Sequence, residues 1–138
     1  MPIRDFPFIC IAAGHPPRPY LPVKIINPTT GQSIRGFGLI DTGADNCAVP
    51  AVFADPLGHI LPRGISRQIG TGNGFTTAYV HTTTIEIYNL NNQLVHQITN
   101  APVDFMPNLN TILLGVSQFL EGFKLEINYP EQKFSIYM

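Results

Sequence analysis

Residues 39–45 read LIDTGAD. Two apolar residues run directly into an acid, a hydroxyl, a glycine, an alanine and a second acid. A carboxylate at the end of an apolar strand is either the cap of a turn, taking backbone N–H groups, or a group held for chemistry. The cap is the commoner arrangement, but three features weigh against it as the whole explanation. Asp41 follows Phe37, Gly38, Leu39 and Ile40, so burial is expected, and an unpaired buried carboxylate is costly. Thr42 supplies a hydroxyl, and Gly43 lets the backbone fold tightly around the acid. Asp45 brings a second carboxylate four residues later on the same turn.

The surroundings of this motif are those of a single β-rich domain. The chain has 138 residues, enough for one substantial core. Charged residues make up 12% against 44% apolar, where about 25% charged is usual. Part of the apolar surface is therefore expected to be covered by a partner subunit. The net charge is −1 and Lys and Arg are scattered, which argues against a nucleic-acid footprint. No run approaches the roughly 20 apolar residues that span a bilayer, so no membrane span is expected. The apolar run FICIAAG (8–14) is short and soon interrupted by prolines, unlike a signal peptide. Cys10 and Cys47 have no metal or redox spacing, and a reducing, cytoplasmic setting is the default expectation.

The dominant hydrophobic period is two. YLPVKIIN (20–27) and IRGFGLI (34–40) read as strands around the turn PTTGQS. TTAYVHTTTIEIYN (76–89) and LVHQIT (94–99) form a second pair, with shorter strands at APVDFM and TILL. KLEINYPEQKFSIYM reads as a closing hairpin. Helix is expected only in short pieces, at 50–58, broken by Pro56, and at 115–123. This pattern predicts a mainly β domain of short strands forming a barrel or folded sheet. HPPRP (15–19) reads as an extended polyproline stretch, an arm or a processing segment.

Two further stretches stand out. In QIGTGNGF (68–75), Gly70, Gly72 and Gly74 alternate before a long strand. No Lys-Ser/Thr ending and no following helix supports a phosphate loop, and a hairpin that opens and closes over a site fits better. In TILLGVSQFL (111–120), two leucines and a glycine lead into the short helical segment, a pattern that core packing alone would also produce. His15, His59, His81 and His96 lack metal-ligand spacing, so no metal site is expected. Cys47 has no nearby histidine pattern and reads as a small buried residue.

In this order and spacing the three segments resemble the retropepsin-like aspartic proteases, the single-domain relatives of pepsin. The resemblance spans about residues 20 to 137, dividing the chain into an N-terminal arm (1–19) and a protease domain (20–138). It implies the acid-protease fold, a closed β-barrel or folded sheet with one short C-terminal helix. By the same resemblance Asp41 is the catalytic acid/base. Thr42, with Gly43 and Ala44, supports the active-site loop. Asp45 and the flap residues Ile69, Gly70, Thr71, Gly72, Asn73 and Gly74 contact substrate. Ala44 stands where pepsin-like relatives often carry a hydroxyl donor to the acid, so a weakly acidic optimum is expected.

Two departures point away from the viral members and towards cellular and bacterial ones. Viral enzymes place an arginine after the apolar-apolar-Gly segment, paired with the second acid of the motif. Here that position is Val116, so Asp45 needs another partner or binds substrate. The ending at 123–138 is also unlike the short viral C-terminal strand, which puts the viral mode of dimerisation in doubt.

Aspartic-protease chemistry needs two carboxylates sharing a proton, one activating water and the other donating to the carbonyl oxygen. One Asp-Thr-Gly per chain implies a homodimer with a two-fold axis through the site. The expected activity is hydrolysis of a protein or peptide substrate, with no cofactor. The alternative is a catalytically silent module of the same fold that dimerises or binds peptides.

Overall fold

The computed structural model describes residues 2–138; of Thr71 only the backbone is described. Ten strands run β1 (Ile3–Pro7), β2 (Tyr20–Ile26), β3 (Ser33–Ile40), β4 (Ala48–Pro50), β5 (Ile65–Thr71), β6 (Gly74–Tyr88), β7 (Leu94–Met106), β8 (Ile112–Leu114), β9 (Lys124–Asn128) and β10 (Lys133–Tyr137). The mainly β architecture of short strands expected from the pattern is the one observed. Seven strands follow the order β2-β3-β8-β4-β7-β6-β5, and β2 also pairs with β6. That extra pairing closes six of them into a barrel and leaves β5 as a flange on β6.

Closure depends on the length of β6. Its first half, Gly74–Val80, pairs with β5, and Thr84–Ile87 pairs with β2. Alternation puts Leu21, Val23 and Ile25 of β2 inside, against Ile85 and Ile87 of β6 and Val103 and Phe105 of β7. The β2–β3 turn is held by Asn27, whose N–H donates to Gln32 O and whose carbonyl accepts from Gly31 N–H. Its side chain donates to Leu57 O at 2.9 Å, so this buried polar group has a partner.

Two expectations are corrected here. The stretch 50–58 divides into strand, a 3-10 turn (Ala51–Phe53) and one helical turn, α1 (Ala54–Leu57). Pro56 lies inside α1 and does not break it, because the first-turn N–H groups of a helix have no intrahelical acceptor to lose. The segment 115–123, expected as the C-terminal helix, forms turns and a 3-10 turn at Leu120–Gly122. Leu120 N–H and Glu121 N–H donate five residues back, to Gly115 O and Val116 O, too wide a spacing for an α-helix. The segment expected as an N-terminal arm contains a strand of the fold, β1. β1 pairs with β10 in a three-stranded sheet, β1-β10-β9, and Ile3 and Phe6 are core residues.

The sequence period hides β1 for a definite reason. Ile3 and Phe6 are three apart, which would put them on opposite faces of a regular strand. Asp5 takes a positive φ of 51° and the register slips between Ile3 and Phe6. This bulge inserts one residue and turns both side chains inward. Asp5 N–H is taken by Ser135 Oγ at 2.9 Å, and Phe6 packs on Phe134 at 5.4 Å between ring centroids. Phe6→Ala should lower unfolding stability by about 3–5 kcal/mol, read from the midpoint of urea unfolding at unchanged m-value. A detached arm would show almost no loss.

Candidate active site

The loop that carries Asp41 hangs from two parallel strands. β3 and β8 pair as Gly38↔Ile112, Leu39↔Leu113 and Ile40↔Leu114, and Asp41 N–H continues the ladder to Leu114 O at 3.1 Å. A Cβ on Gly38 would lie 2.8 Å from Leu114 Cγ, so glycine is what leaves room for the buried Leu114 side chain. Beyond them the chain turns within four residues. Ala44 N–H donates to Asp41 O at 3.2 Å, and Gly43 N–H donates to Asp41 Oδ1 at 2.9 Å. The second bond is that of an Asx-turn, so the ordinary capping role of the aspartate is fulfilled. It engages one of the two carboxylate oxygens. Asp41 is half-buried in the single chain, less enclosed than its apolar lead-in implied, because the loop lies at the mouth of a cleft.

The rest of the loop is fastened to the segment after β8. Val116 N–H donates to Ala44 O at 2.9 Å, and Ser117 N–H to Asp45 O at 2.7 Å. Gly115 makes this approach possible: a Cβ there would sit 2.4 Å from the Asn46 carbonyl oxygen and 2.8 Å from that of Ala44. Gln118 completes the attachment. Its Oε1 accepts from Cys47 N–H at 2.8 Å, while its Nε2 donates to Asn46 Oδ1 at 3.0 Å and Pro102 O at 3.1 Å. The apolar-apolar-Gly segment is thus more than core, since its backbone carries the Asp41 loop.

Below the loop lies a cleft of about 560 Å³, roofed on one side by the β5–β6 hairpin. It brings together Asp41, Gly43, Ala44 and Asp45 from the loop with Ile69 and Gly70 from β5. Thr42 is exposed on the loop and does not line the cleft. Gly72, Asn73 and Gly74 form the exposed hairpin tip, beyond the cleft lining. The side chain of Thr71 lies outside the described residues.

Sequence reasoning missed Asn46, Arg67, Asp104 and Gln118. Arg67 crosses from β5 to Asp104 on β7, with Nε donating to Oδ1 at 3.0 Å and Nη2 to Oδ2. Asp104 is 3% exposed. The hydrogen bond to Asp104, then the charges of Asp104 and Asp45, hold the Arg67 guanidinium more firmly protonated, against the effect of burial. Asp45 lies near enough for its charge to act on the Arg67 guanidinium, whose fork is taken by Asp104. The signal was legible for Asp104, a lone acid in the apolar run APVDFM, the same oddity that marks Asp41. Arg67 lies in a polar stretch with no distinguishing pattern.

The histidines sit elsewhere. His59 and His81 stack at 4.5 Å between centroids, both edge-on to Phe105. Burial, then the neighbouring His81, lowers the pKa of His59. His96 packs against Phe119 and Phe123. Among the described residues no group of three His, Cys, Asp or Glu is placed to hold a metal ion, and no helix is long and apolar enough to cross a membrane.

Comparison with solved structures finds this fold in a retropepsin-like aspartic protease from Rickettsia conorii. That protein is 22% identical, and the match covers 83% of this chain and 88% of the other at a TM-score of 0.56. No protein-family model and no curated protein sequence matches the chain. At this identity the likeness establishes the fold, and the function has to be argued from the site.

Cys47 offers a direct check on how tightly the loop is held. It is fully buried, and burial pushes its thiol up to about 11. At pH 8 it stays protonated, and only the thiolate reacts. Iodoacetamide should modify one thiol per native chain, the exposed Cys10, and both after denaturation. Mass spectrometry of the labelled peptides reads the result; equal native labelling of Cys47 would mean the loop opens readily.

Proposed function

We propose that this protein is an aspartic endopeptidase that hydrolyses peptide bonds as a homodimer, with Asp41 of each copy forming the catalytic pair. The observation that carries the proposal is the placement of Asp41. It stands at the ends of two parallel strands, on a loop braced by Gly115 and Gln118, at a cleft roofed by a glycine-rich hairpin. A turn cap alone would not call for this bracing.

The chemistry follows from one carboxylate per chain. Peptide hydrolysis by acids requires one group to take a proton from water while another gives one to the carbonyl oxygen. The aspartic-protease pair sharing one proton is the established example of this arrangement. Within the cleft, Asp104 is committed to Arg67, and Asp45 is exposed beside the same cation. The second acid comes from a two-fold related Asp41, and the cleft becomes half of a continuous groove. Thr42 meets the second loop in this reading, which its exposure in one chain supports. Ile65 and Phe75, 78% and 80% exposed on the hairpin, are the apolar surface that substrate or the second copy covers. The hairpin acts as the flap, with Ile69 and Gly70 against the substrate backbone.

The Asx-turn bond also fits a silent module of the same fold, in which Asp41 is merely a cap. Asp41→Asn separates the two readings, because asparagine keeps the oxygen that accepts from Gly43 but cannot pass protons. Cleavage of an unfolded test protein at mildly acidic pH should fall by about 10²–10⁴-fold, with the thermal midpoint within a few degrees of wild type. Activity absent from the wild type favours the silent module, and activity unchanged in the variant overturns the catalytic role of Asp41.

Sharing the site between two copies has its own signature. Activity per chain should fall on dilution, in step with dissociation measured by sedimentation, since assembly follows mass action. A fully active monomer overturns the shared site.

A further inference from the structure

The hairpin over the cleft is held by little. β5 is a flange strand, paired only with β6, and Ile65 at its start and Phe75 just past its tip are largely exposed. Few buried apolar contacts hold it, which is the condition for low local stability. Ile69 and Arg67 of β5 both line the cleft, and Arg67 reaches on to β7. Arg67 faces Ala78 of β6, and Val80 of β6 faces Asp104 of β7. Opposed residues share a face, as do residues two apart, so Arg67, Ala78, Val80 and Asp104 lie on one side of the sheet. The small Ala78 lets the guanidinium pass over β6 and fork onto the Asp104 carboxylate through Nε and Nη2.

Asp104 is anchored in turn beside the Asp41 loop. Its N–H donates to Cys47 O at 3.1 Å, and it pairs with Ala48 across the parallel β4–β7 ladder. The ion pair therefore ties the base of the hairpin to the strand that leaves the loop. We propose that Arg67 is a positioning residue: its fork on Asp104 latches the hairpin and sets the height at which it closes over the cleft. The latch is a property of the fold, whereas its effect on turnover rests on the protease reading above.

A two-point fork fixes a plane, which a single ammonium cannot do. Asp104 cannot be left alone, because a buried carboxylate without its partner threatens folding. Two variants avoid this. Arg67→Lys keeps a cation but loses the fork, and the double variant Arg67→Met with Asp104→Asn removes both charges together.

The test is hydrogen–deuterium exchange of the free full-length chain, alongside peptide-cleavage kinetics. In both variants, peptides covering 66–77 should exchange about tenfold faster, while those in β2, β3 and β8 stay within about twofold. The kcat/KM should fall about tenfold, mostly through KM, as expected when ground-state and transition-state binding weaken together. Hairpin exchange at the wild-type rate in both variants overturns the latch. Acceleration spread evenly over the barrel also overturns it, since the pair is then an ordinary core contact. Selective acceleration with kcat and KM unchanged overturns the positioning role. Selective acceleration in a protein whose wild type cleaves nothing supports the latch and defeats the protease reading, so the two failures are told apart.

Discussion

The structure around the cleft depends on one close approach, that of Gly115 to the Asn46 carbonyl. A single methyl at position 115 would collide with backbone at 2.4 Å, and backbone on both sides is already committed. On one side β8 is locked to β3, and on the other Cys47 leads into β4, which pairs with both β7 and β8. The loop carrying Asp41 is thus pinned at both ends and along its back. A loop this short would otherwise sample many conformations, and its ordering entropy would be set against any use of the acid. Pinning it beforehand removes that burden from substrate binding.

Polar groups in this region are arranged so that Asp41 stays at the mouth of the cleft with its turn bond on one oxygen. Asp104 is deeply buried and answered by a forked arginine. Gln118 answers three groups of the loop and its neighbour with one neutral amide. Cys47 is enclosed and held as the thiol. Asp41, held through one oxygen, remains half-exposed at the mouth. The neutral amide of Gln118 braces the loop without a charge, while Val116 beside it is partly buried against the core. Bracing of the loop and compensation of the buried Asp104 carboxylate are carried by two residues, Gln118 and Arg67, on separate elements.

The same separation links the two parts of the site. Loop and hairpin are far apart in the chain, yet β7 touches both, through Asp104 to Arg67 and through its N–H to Cys47. The Arg67–Asp104 fork thus joins the hairpin to the strand beside the loop without any contact through substrate. The His59–His81 stack, outside the cleft lining, packs the opposite end of this region through Phe105, the neighbour of Asp104.

Much of this was legible before any coordinates. Alternation located β2, β3, β6 and the closing hairpin, because each keeps a regular period with one face inward. The LIDTGAD turn and the glycine-rich hairpin were readable because their chemistry is local: an acid, a hydroxyl and glycines within a few residues. What escaped was whatever depends on partners distant in the chain. β1 was hidden by the bulge at Asp5, which puts Ile3 and Phe6 out of phase yet turns both inward. The helix expected at 115–123 gave way to wide turns, with the backbone at 115–117 bonded to residues about seventy positions earlier. Arg67 and Asp104 carry no motif, and their pairing exists only because β6 brings β5 and β7 to one face with a residue as small as Ala78 between them. The sequence by itself determined the strand set and the acid's turn, since period and turn chemistry act over a few residues. The tertiary structure alone decided which side chains brace that turn, since bracing is a matter of register between strands far apart in the chain.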